Sequence, residues 1–573
     1  MFDAAPRIFA LRSPRGLAIL AALILASSTA FLLGSALGVA LPAIQAGFAA
    51  DLSAVQWVMN AHLLVESALL PASGALSDIY GRRRIFLLGI VLFTVSGAAS
   101  ALVPGIPHLI ATQACQGLGG ALMIPGSLAL IQTHFREADR GLAIGVWAGV
   151  SAATAAMGPP LGGFLVAEAG WRSIFAIVIP LGSLAAATTL FAIPASASIS
   201  ATASAAISDE DDTGVNAQRP SIARPQPDWV GAALLGIGLC AVSYVLIFAP
   251  GARENPDVYG QLAAIALGGV GALTAFVFWQ RRARHPMIPG RLFEQRDVIG
   301  ANLITLCLYF ALNGTLTFSI FYLQQIQEFP PQAAGIALLP TIILIALLSG
   351  PGGMLADRFG LRPLLMIGTA LAGMGMFWIA GTVAMGPVLS GEAPGFAGGR
   401  WNYYAWHYLP GLCLLGSGMA CVISPVSRGA LRVTDDLTGT ASGINNAVSR
   451  IASLLSIALL GAVLTASFLS FYSPNIKDLS LPPGIEAKLL ADRGQLGAIQ
   501  IPEELAPERA ELVRATIAQA FHRGYVSLLI VCGSLAWASA LLAAIFIRRK
   551  ARSQESAESP AATESNSGAS RLS

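Results

Sequence analysis

Long apolar stretches, separated by shorter polar segments, occupy most of the chain. Each stretch has about 20 or more mostly apolar residues, the length that an α-helix needs to cross the hydrocarbon core of a bilayer. The pattern predicts an all-α polytopic membrane protein with an even number of spans, so both termini should lie on the same side. The fourteen predicted spans lie near residues 16–44, 55–76, 85–104, 107–131, 142–167, 173–193, 229–249, 262–280, 299–323, 334–356, 364–386, 405–427, 441–468 and 522–547.

Arginine is distributed unequally between the two sets of segments that connect these spans. The short segments on one side hold only Arg172, Arg253 and Arg400. Because basic residues are retained on the cytoplasmic side of a membrane, the arginine-rich side and both termini are predicted to be cytoplasmic. The arginine-rich segments contain Arg82, Arg83, Arg84, Arg136, Arg140, Arg281, Arg282, Arg284, Arg291, Arg296, Arg358, Arg362, Arg428 and Arg432.

Three segments outside the spans differ from the rest in composition. Residues 194–228 are rich in Ala, Ser and Pro, and predict a disordered cytoplasmic linker. Residues 549–573 predict a disordered cytoplasmic tail. On the opposite side, residues 469–520 contain a helix-compatible stretch from Pro502 to Phe521, for which we expect a small amphipathic cap.

The composition excludes several classes of function. Hydrophobic residues make up 55% of the chain and charged residues 11%, whereas a soluble domain has about 25% charged residues. A net charge of +3 gives no reason to expect nucleic-acid binding. We find no phosphate-binding Gly-x-x-x-x-Gly-Lys-Ser/Thr loop, metal-ligand spacing or triad spacing. We therefore predict no cofactor, no metal and no enzymatic activity, and an energy supply from a gradient.

One short pattern occurs twice. Gly74 to Arg84 follows the second span and Gly353 to Pro363 follows the tenth, and Gly, Leu, Asp, Gly and Arg recur at identical offsets. A repeat at this distance fits a transporter built from two halves of parallel topology. Because each half would have six spans, the spacing indicates two additional spans between the halves.

These residues resemble motif A of the major facilitator superfamily, and the other motifs occur in the order found in its fourteen-span drug:proton antiporter family. The resemblance covers about residues 10–550. It implies N-terminal and C-terminal six-helix bundles at 1–193 and 281–548, with additional spans at 229–280. The other matching segments are Gly158-Pro159-Pro160-Leu161-Gly162-Gly163 (antiporter motif C), Gln116-Gly117 with Gly119 (motif B), Gln56-Trp57-Val58, Trp171-Arg172 with Phe175 and Pro180, Tyr322-Leu323-Gln324-Gln325 with Ala334-Gly335 and Leu339-Pro340, and Ala441 to Asn446.

Motif A implies a gate at the cytoplasmic ends of the helices. In the family interpretation, the aspartate forms a charge lock that holds the inner gate closed; the alternative is a basic cluster that only fixes orientation. Motif C supplies small residues for close helix packing and prolines that bend the helix, and generic glycine packing is its alternative. The gate candidates are Gly74, Asp78, Gly81, Arg82, Arg83, Asp357, Gly360 and Arg362, and the motif C candidates are Gly158, Pro159, Gly162 and Gly163.

Glu66 lies near the middle of the second predicted span, and His62 lies four residues earlier, on the same helical face. Ionisable residues inside a span are costly and usually functional. We predict that Glu66 carries the coupled proton and that His62 tunes it; the alternative is a neutral Glu66 hydrogen-bonded between helices. Arg450 needs a counter-charge or carbonyl partners, unless it extends to the cytoplasmic interface. Further cavity candidates are Asn60, Gln113, Gln116, Asn445 and Asn446.

Two positions depart from the family pattern. Leu33 replaces a first-span Asp, and Gln113 replaces the motif B Arg that is assigned to proton handling. Both departures weaken the transfer of the family's coupling mechanism, and Glu66 is the candidate for a relocated coupling site.

The leading hypothesis is a secondary transporter of the cell inner membrane that exports an amphipathic, drug-like small molecule in exchange for protons. Its surroundings would be the lipid bilayer, and a periplasmic adaptor is a weaker candidate partner. The alternative is an exporter or facilitator of a specific metabolite, uncoupled from protons. A transporter-like sensor is a third class, but the large soluble domain typical of such sensors is missing from the pattern.

Overall fold

The computed structural model describes residues 8–194, 227–254, 256–284, 286–385, 399–430 and 438–548. Over these residues the fold is almost entirely helical. The first part of the chain forms α1 (Pro14–Gly47), α2 (Leu52–Tyr80), α3 (Arg82–Leu102), α4 (Ile106–His134), α5 (Glu137–Ala169), α6 (Ser173–Ala176), α7 (Val178–Ala192), α8 (Trp229–Phe248) and α9 (Pro256–Arg282).

The second part of the chain begins with α10 (Arg296–Phe321), which continues into a π-helical turn at Tyr322–Ile326. We call α1–α7 the N-bundle and α10–α18 the C-bundle. The remaining helices are α11 (Pro331–Ala337), α12 (Leu339–Phe359), α13 (Leu361–Met385), α14 (Gly399–His407), α15 (Leu409–Ala430), α16 (Thr438–Asp478), α17 (Pro483–Ala491) and α18 (Pro507–Phe546).

The helices α8 and α9, which contain the two additional predicted spans, form a hairpin beside the bundles. They pack against each other, and α8 also packs against α2 and α16, one helix from each bundle. Asp228 joins the two helices, because its carboxylate accepts hydrogen bonds from the backbone N–H of Gly231, from Trp279 Nε1 (2.7 Å) and from Gln280 Nε2 (2.7 Å).

Thirteen helices in the described residues are long and apolar enough to cross a membrane. The second predicted span forms α2, which has 29 residues and a length of about 43 Å at 1.5 Å per residue. This exceeds the bilayer core of about 30 Å. It is not among the thirteen helices, because polar residues such as Gln56, Asn60, His62 and Glu66 lower its hydropathy. The count of fourteen spans therefore stays a prediction.

The two long helices α16 and α18 extend beyond the predicted spans. The stretch from Pro502 to Phe521, where we expected a small amphipathic cap, is helical from Pro507 and continues into the last span as α18, because no proline or glycine interrupts the chain between Pro507 and Gly524. Residues 469–520, which we call the cap, thus contain the end of α16, α17, a 3-10 turn at Asp492–Ala498 and the start of α18. Most of the predicted linker and all of the predicted tail lie outside the described residues.

We call the end of the molecule that carries the cap the cap face, and the end that carries Asp78 and Asp357 the motif face. The arginine distribution predicts that the motif face is cytoplasmic. In a cysteine-free background, Cys substituted at exposed Ala138 on the motif face and at exposed Gly484 in the cap should react with membrane-impermeant maleimide from opposite sides. Labelling of both from one side would contradict the predicted topology.

Candidate functional site

A cavity of about 1370 Å³ lies between the N-bundle and the C-bundle. Its walls come from α1, α2, α4 and α5 on one side and from α10 and α16 on the other. It extends from mid-helix residues such as Glu66 to Asp78 and Asp228 at the motif face. Phe31 and Tyr309 are among its aromatic wall residues. The cavity is thus wide enough for a small organic molecule and reaches one face of the protein.

An ion pair joins the two bundles across this cavity. Nε of Arg450 on α16 lies 3.3 Å from Oε1 of Glu66 on α2. Glu66 is 1% exposed, whereas Arg450 is 28% exposed. Nε2 of His62 lies 3.7 Å from Oε2 of Glu66, and the Arg450 guanidinium also lies over the Phe31 ring. The counter-charge that the sequence required for Arg450 is therefore Glu66.

The hydrogen-bonding capacity of Glu66 is unused in this arrangement. Both carboxylate oxygens are buried and have no hydrogen-bond partner of good geometry within the described chain, and the same holds for Nδ1 of His62. An unpaired buried polar atom costs about 1–3 kcal/mol and more when charged. The ion pair compensates the charge of Glu66, but the carboxylate oxygens of Glu66 can still bind a proton or accept a hydrogen bond from a ligand.

Gln113 and Gln116 form a second polar group on α4. Nε2 of Gln113 donates to Oε1 of Gln116 (2.7 Å) and to Oγ of Ser100 (3.2 Å). Gln116 in turn donates to the carbonyl of Phe93. Both glutamines are fully buried, but only Gln113 lines the cavity. This group links α3 to α4 and places Gln113 beside the cavity.

The three asparagine candidates have different surroundings. Asn446 is exposed and lines the cavity. Asn445 instead faces α10, where its Nδ2 donates to Thr305 Oγ1 (3.0 Å) and Asn302 Oδ1 (3.2 Å). Asn60 is fully buried in α2, outside the cavity lining, and neither atom of its amide makes a hydrogen bond within the described residues.

In each copy of motif A, the aspartate forms an ion pair with an arginine of its own bundle. Asp78 accepts from Arg82 Nε (3.0 Å), and Arg82 also donates to the carbonyl of Ala129 at the end of α4. Arg83 donates to the carbonyl of Leu190 on α7. Gly81 and Gly360 have φ of 96° and 91°, which glycine adopts without strain. The first motif thus ties the ends of four helices, α2, α3, α4 and α7, together at the motif face.

The second copy of motif A has a partner that is distant in sequence. Asp357 forms an ion pair with Arg428 at the end of α15, and Arg428 also donates to the carbonyl of Gly353. Gly74 has open space around its Cα, and Arg362 lies in the first turn of α13. The repeated sequence pattern alone gave no reason to select Arg428 as the partner of Asp357.

Motif C packs α5 against both bundles. A Cβ at Gly158 or Gly162 would overlap Ser35 or Ala36 of α1, and a Cβ at Gly163 would overlap the carbonyl oxygen of Pro331 on α11. In the reverse direction, a Cβ at Gly335 would overlap the carbonyl oxygen of Pro159. The last two contacts bring the bundles together toward the cap face, so the motif forms a two-sided helix interface.

Further contacts close the cap face. Nε2 of Gln324 and Nε2 of Gln325, in the π-helical turn, donate to the carbonyl of Val39 (3.0 Å) and to Oε1 of Gln45 (3.0 Å) on α1. Gln45 also donates to the carbonyl of Gln495 in the cap (2.9 Å). The cap belongs to the C-bundle by sequence, so these bonds join it to the N-bundle. The cavity is consequently shut at the cap face and extends to the motif face.

Two helical bundles around a shared cavity, with an ion pair between them, define a multi-pass membrane transporter. The model of the Major Facilitator Superfamily matches residues 23–457, and the chain belongs to this family. The fold agrees with this membership. A bacterial homolog of the human lysosomal transporter Spinster aligns over 94% of this chain and 99% of its own, with a TM-score of 0.59 and 14% identity.

Similar sequences include resistance and export proteins. The multidrug resistance protein Stp of Mycobacterium tuberculosis is 29% identical over 79% of this chain and 76% of its own length. The tetracenomycin C resistance and export protein of Streptomyces glaucescens is 28% identical over 91% and 89%. The puromycin resistance protein pur8 of Streptomyces alboniger is 29% identical over 76% and 79%.

Proposed function

We propose that this protein exports an amphipathic, drug-like compound across the cell inner membrane by alternating access, in exchange for protons. The observation that carries the proposal is the ion pair between Glu66 and Arg450, which joins the two bundles across the central cavity. The resistance and export functions in the names of similar proteins support the choice of cargo class.

The ion pair offers a physical route from a proton to a conformational change. An ionised Glu66 attracts Arg450 and holds α2 and α16 together, whereas a protonated Glu66 loses that attraction. Arg450 is partly exposed to the cavity and can then be hydrated. A single proton therefore changes the free-energy difference between a state with these helices close together and a state with them apart.

The direction of transport follows from the predicted topology. With the motif face in the cytoplasm, the structure corresponds to a carrier that is open to the cytoplasm and closed outside by the motif C contacts and the cap. Cargo enters the cavity from the cytoplasm or the inner leaflet. The next step closes the motif face, where motif A is proposed to act, and opens the cap face.

Flux in proteoliposomes tests the coupling. The purified chain should accumulate an aromatic amphiphile such as ethidium when a pH gradient is imposed, and a protonophore should abolish accumulation. Downhill flux that does not change with the gradient would instead support an uncoupled exporter or facilitator, the class to which the departures at Leu33 and Gln113 point.

The proposed gate gives a second test. Asp78→Asn should lower the rate of flux about tenfold or more while leaving expression and membrane insertion unchanged, because it weakens the bonds through Arg82 that organise three helix ends. The matched control is Glu137→Gln, which neutralises an exposed acid at the same face. Normal flux in Asp78→Asn would leave motif A only a role in orientation.

A further inference from the structure

We propose that the cavity binds most tightly those amphiphiles that present a neutral hydrogen-bond acceptor, such as a ketone or quinone oxygen, to the Arg450 guanidinium, with their apolar body toward the cap face. This inference rests on the proposed function, because it assumes that the cavity binds the exported molecule. It adds the chemical class of the polar group on the cargo and the orientation in which the cargo is held.

Arg450 is the exposed half of the central ion pair. Glu66 is 1% exposed, whereas Arg450 is 28% exposed and lines the cavity. The nitrogens of Arg450 are neither buried nor engaged in a hydrogen bond of good geometry within the described residues. Because a guanidinium carries five N–H donors in one plane, most of the donor capacity of Arg450 is available to a ligand.

The surroundings of Arg450 determine which part of it a ligand can meet. Its contact with Glu66 is through Nε, and its guanidinium carbon lies over the Phe31 ring, 5.8 Å from the ring centroid. One edge of the guanidinium thus faces Glu66, and one of its flat sides faces Phe31. The opposite edge, formed by the two terminal nitrogens, is the part that can donate to a ligand in the cavity.

The other polar atoms of the ion-pair cluster are less accessible. Nδ1 of His62 and both oxygens of Glu66 are buried, so a molecule that leaves the pair intact meets the nitrogens of Arg450 first. Asn446 lies one helical turn before Arg450 on α16, is exposed and also lines the cavity. It is therefore the nearby amide against which the role of Arg450 has to be tested.

The walls on either side of the ion pair differ in polarity. Met59 on α2 and Ile457 on α16 line the cavity about two helical turns from the pair, toward the closed cap face. In the opposite direction, toward the motif face, α16 lines the cavity with Asn446 and serine residues. An amphipathic molecule that enters from the motif face thus buries its apolar end between Met59 and Ile457 and leaves its polar group at Arg450.

The charges of the pair favour a neutral polar group over an ionised one. A carboxylate on the cargo would bring a second negative charge beside ionised Glu66, and an ammonium would bring a second positive charge beside Arg450. Like charges repel strongly where water is excluded. A carbonyl oxygen accepts from the guanidinium without this repulsion, and a hydrogen bond from a charged donor is about twice as strong as a neutral one.

Matched anthracene probes test the acceptor rule with the purified full-length protein in nanodiscs, at neutral pH and without a gradient. Acetylanthracene should bind at least about tenfold more tightly than isopropenylanthracene, in which a methylene group replaces the carbonyl oxygen, because a site built for a hydrogen bond discriminates strongly against an analogue that cannot make it. Anthracenecarboxylate and the protonated aminoethyl analogue should both bind more weakly than the ketone. Affinities are corrected for partition of each probe into empty nanodiscs. The rule concerns affinity, so a compound without an acceptor, such as ethidium, can still be carried but should bind more weakly than the ketone.

Two variants of the ion pair assign the preference to Arg450. Glu66→Gln leaves the guanidinium in the cavity and should keep the ratio of ketone affinity to alkene affinity. Glu66→Gln combined with Arg450→Leu removes the guanidinium without leaving a buried charge unpaired, and should bring the ratio close to one. Continued binding of the alkene by this double variant shows that the cavity is intact. The matched control, Asn446→Leu, removes the exposed amide one turn away and should leave the ratio unchanged.

The outcomes separate this inference from proton coupling. A ratio near one in the wild type, or a carboxylate or amine probe that binds more tightly than the ketone, overturns the neutral-acceptor rule even when gradient-driven flux is observed. A ratio that persists in the double variant, or that falls to one in Asn446→Leu, places the contact away from Arg450 and overturns the inference as well. Absence of coupled flux, with the ratio lost only in the double variant, overturns the antiport proposal and supports the acceptor subsite.

Discussion

Glu66→Gln should abolish accumulation of substrate against its gradient while preserving equilibrium binding and counterflow exchange. Glutamine keeps the size of the side chain and one acceptor oxygen but cannot bind or release a proton at physiological pH. The ion pair with Arg450 is also lost, so the force that depends on protonation no longer acts between α2 and α16. The measurement is efflux driven by an imposed pH gradient, compared with exchange at equal pH.

His62→Ala is the matched variant for this test. His62 lies 3.7 Å from the carboxylate and one turn away on the same helix, so its loss should shift the pH optimum of flux without abolishing flux. Wild-type accumulation by Glu66→Gln would show that Glu66 is a structural residue and that coupling lies elsewhere or is absent.

Gly163→Val should destabilise the state in which the cap face is closed. Its side chain would overlap the backbone of Pro331, and backbone atoms cannot move aside as a flexible side chain can. Overpacking of this kind costs about 1–3 kcal/mol, which changes a two-state population about five- to 150-fold. The expected result is slow transport and a population shift toward molecules whose α5 and α11 are separated at the cap face.

Spin labels at Glu168 on α5 and Gln332 on α11 measure this shift as a longer distance distribution. Gly335→Val should have the same effect, because its side chain would meet the carbonyl of Pro159. The control is Gly145→Val on α5, where a Cβ has open space and the cost of valine in a helix is the same. Unchanged distances in both Gly163→Val and Gly335→Val would contradict the proposed role of motif C.

Hydropathy predicted the helical fold well, because each span must bury its own backbone hydrogen bonds and be apolar enough for lipid. It did not predict that α16 and α18 continue into the cap, past the predicted spans at 441–468 and 522–547. Residues 507–521 lie in a helix outside the apolar region, so their polar composition gave no sign that they continue the last span.

Candidate site residues were easier to find than their partners. An acid inside a span identified Glu66, and an embedded cation identified Arg450, but the pairing depends on how α2 and α16 pack, which neither local segment encodes. Arg428, the partner of Asp357, was missed for the same reason. Gln45 and Gln495 were missed because single glutamines at helix ends and in turns are common.

The bond from Gln45 to the cap has a kinetic consequence for every turnover. In the proposed orientation, the cap must leave the N-bundle each time cargo is released outside, and it must return before the next cargo enters. Each hydrogen bond of this kind contributes about 0.5–1.5 kcal/mol, so the two bonds made by Gln45 together contribute about 1–3 kcal/mol and slow opening by about five- to 150-fold. In that orientation the bonds between the cap and Gln45 slow the opening of the cap face, and we expect a molecule that binds to the cap to change the transport rate without entering the cavity.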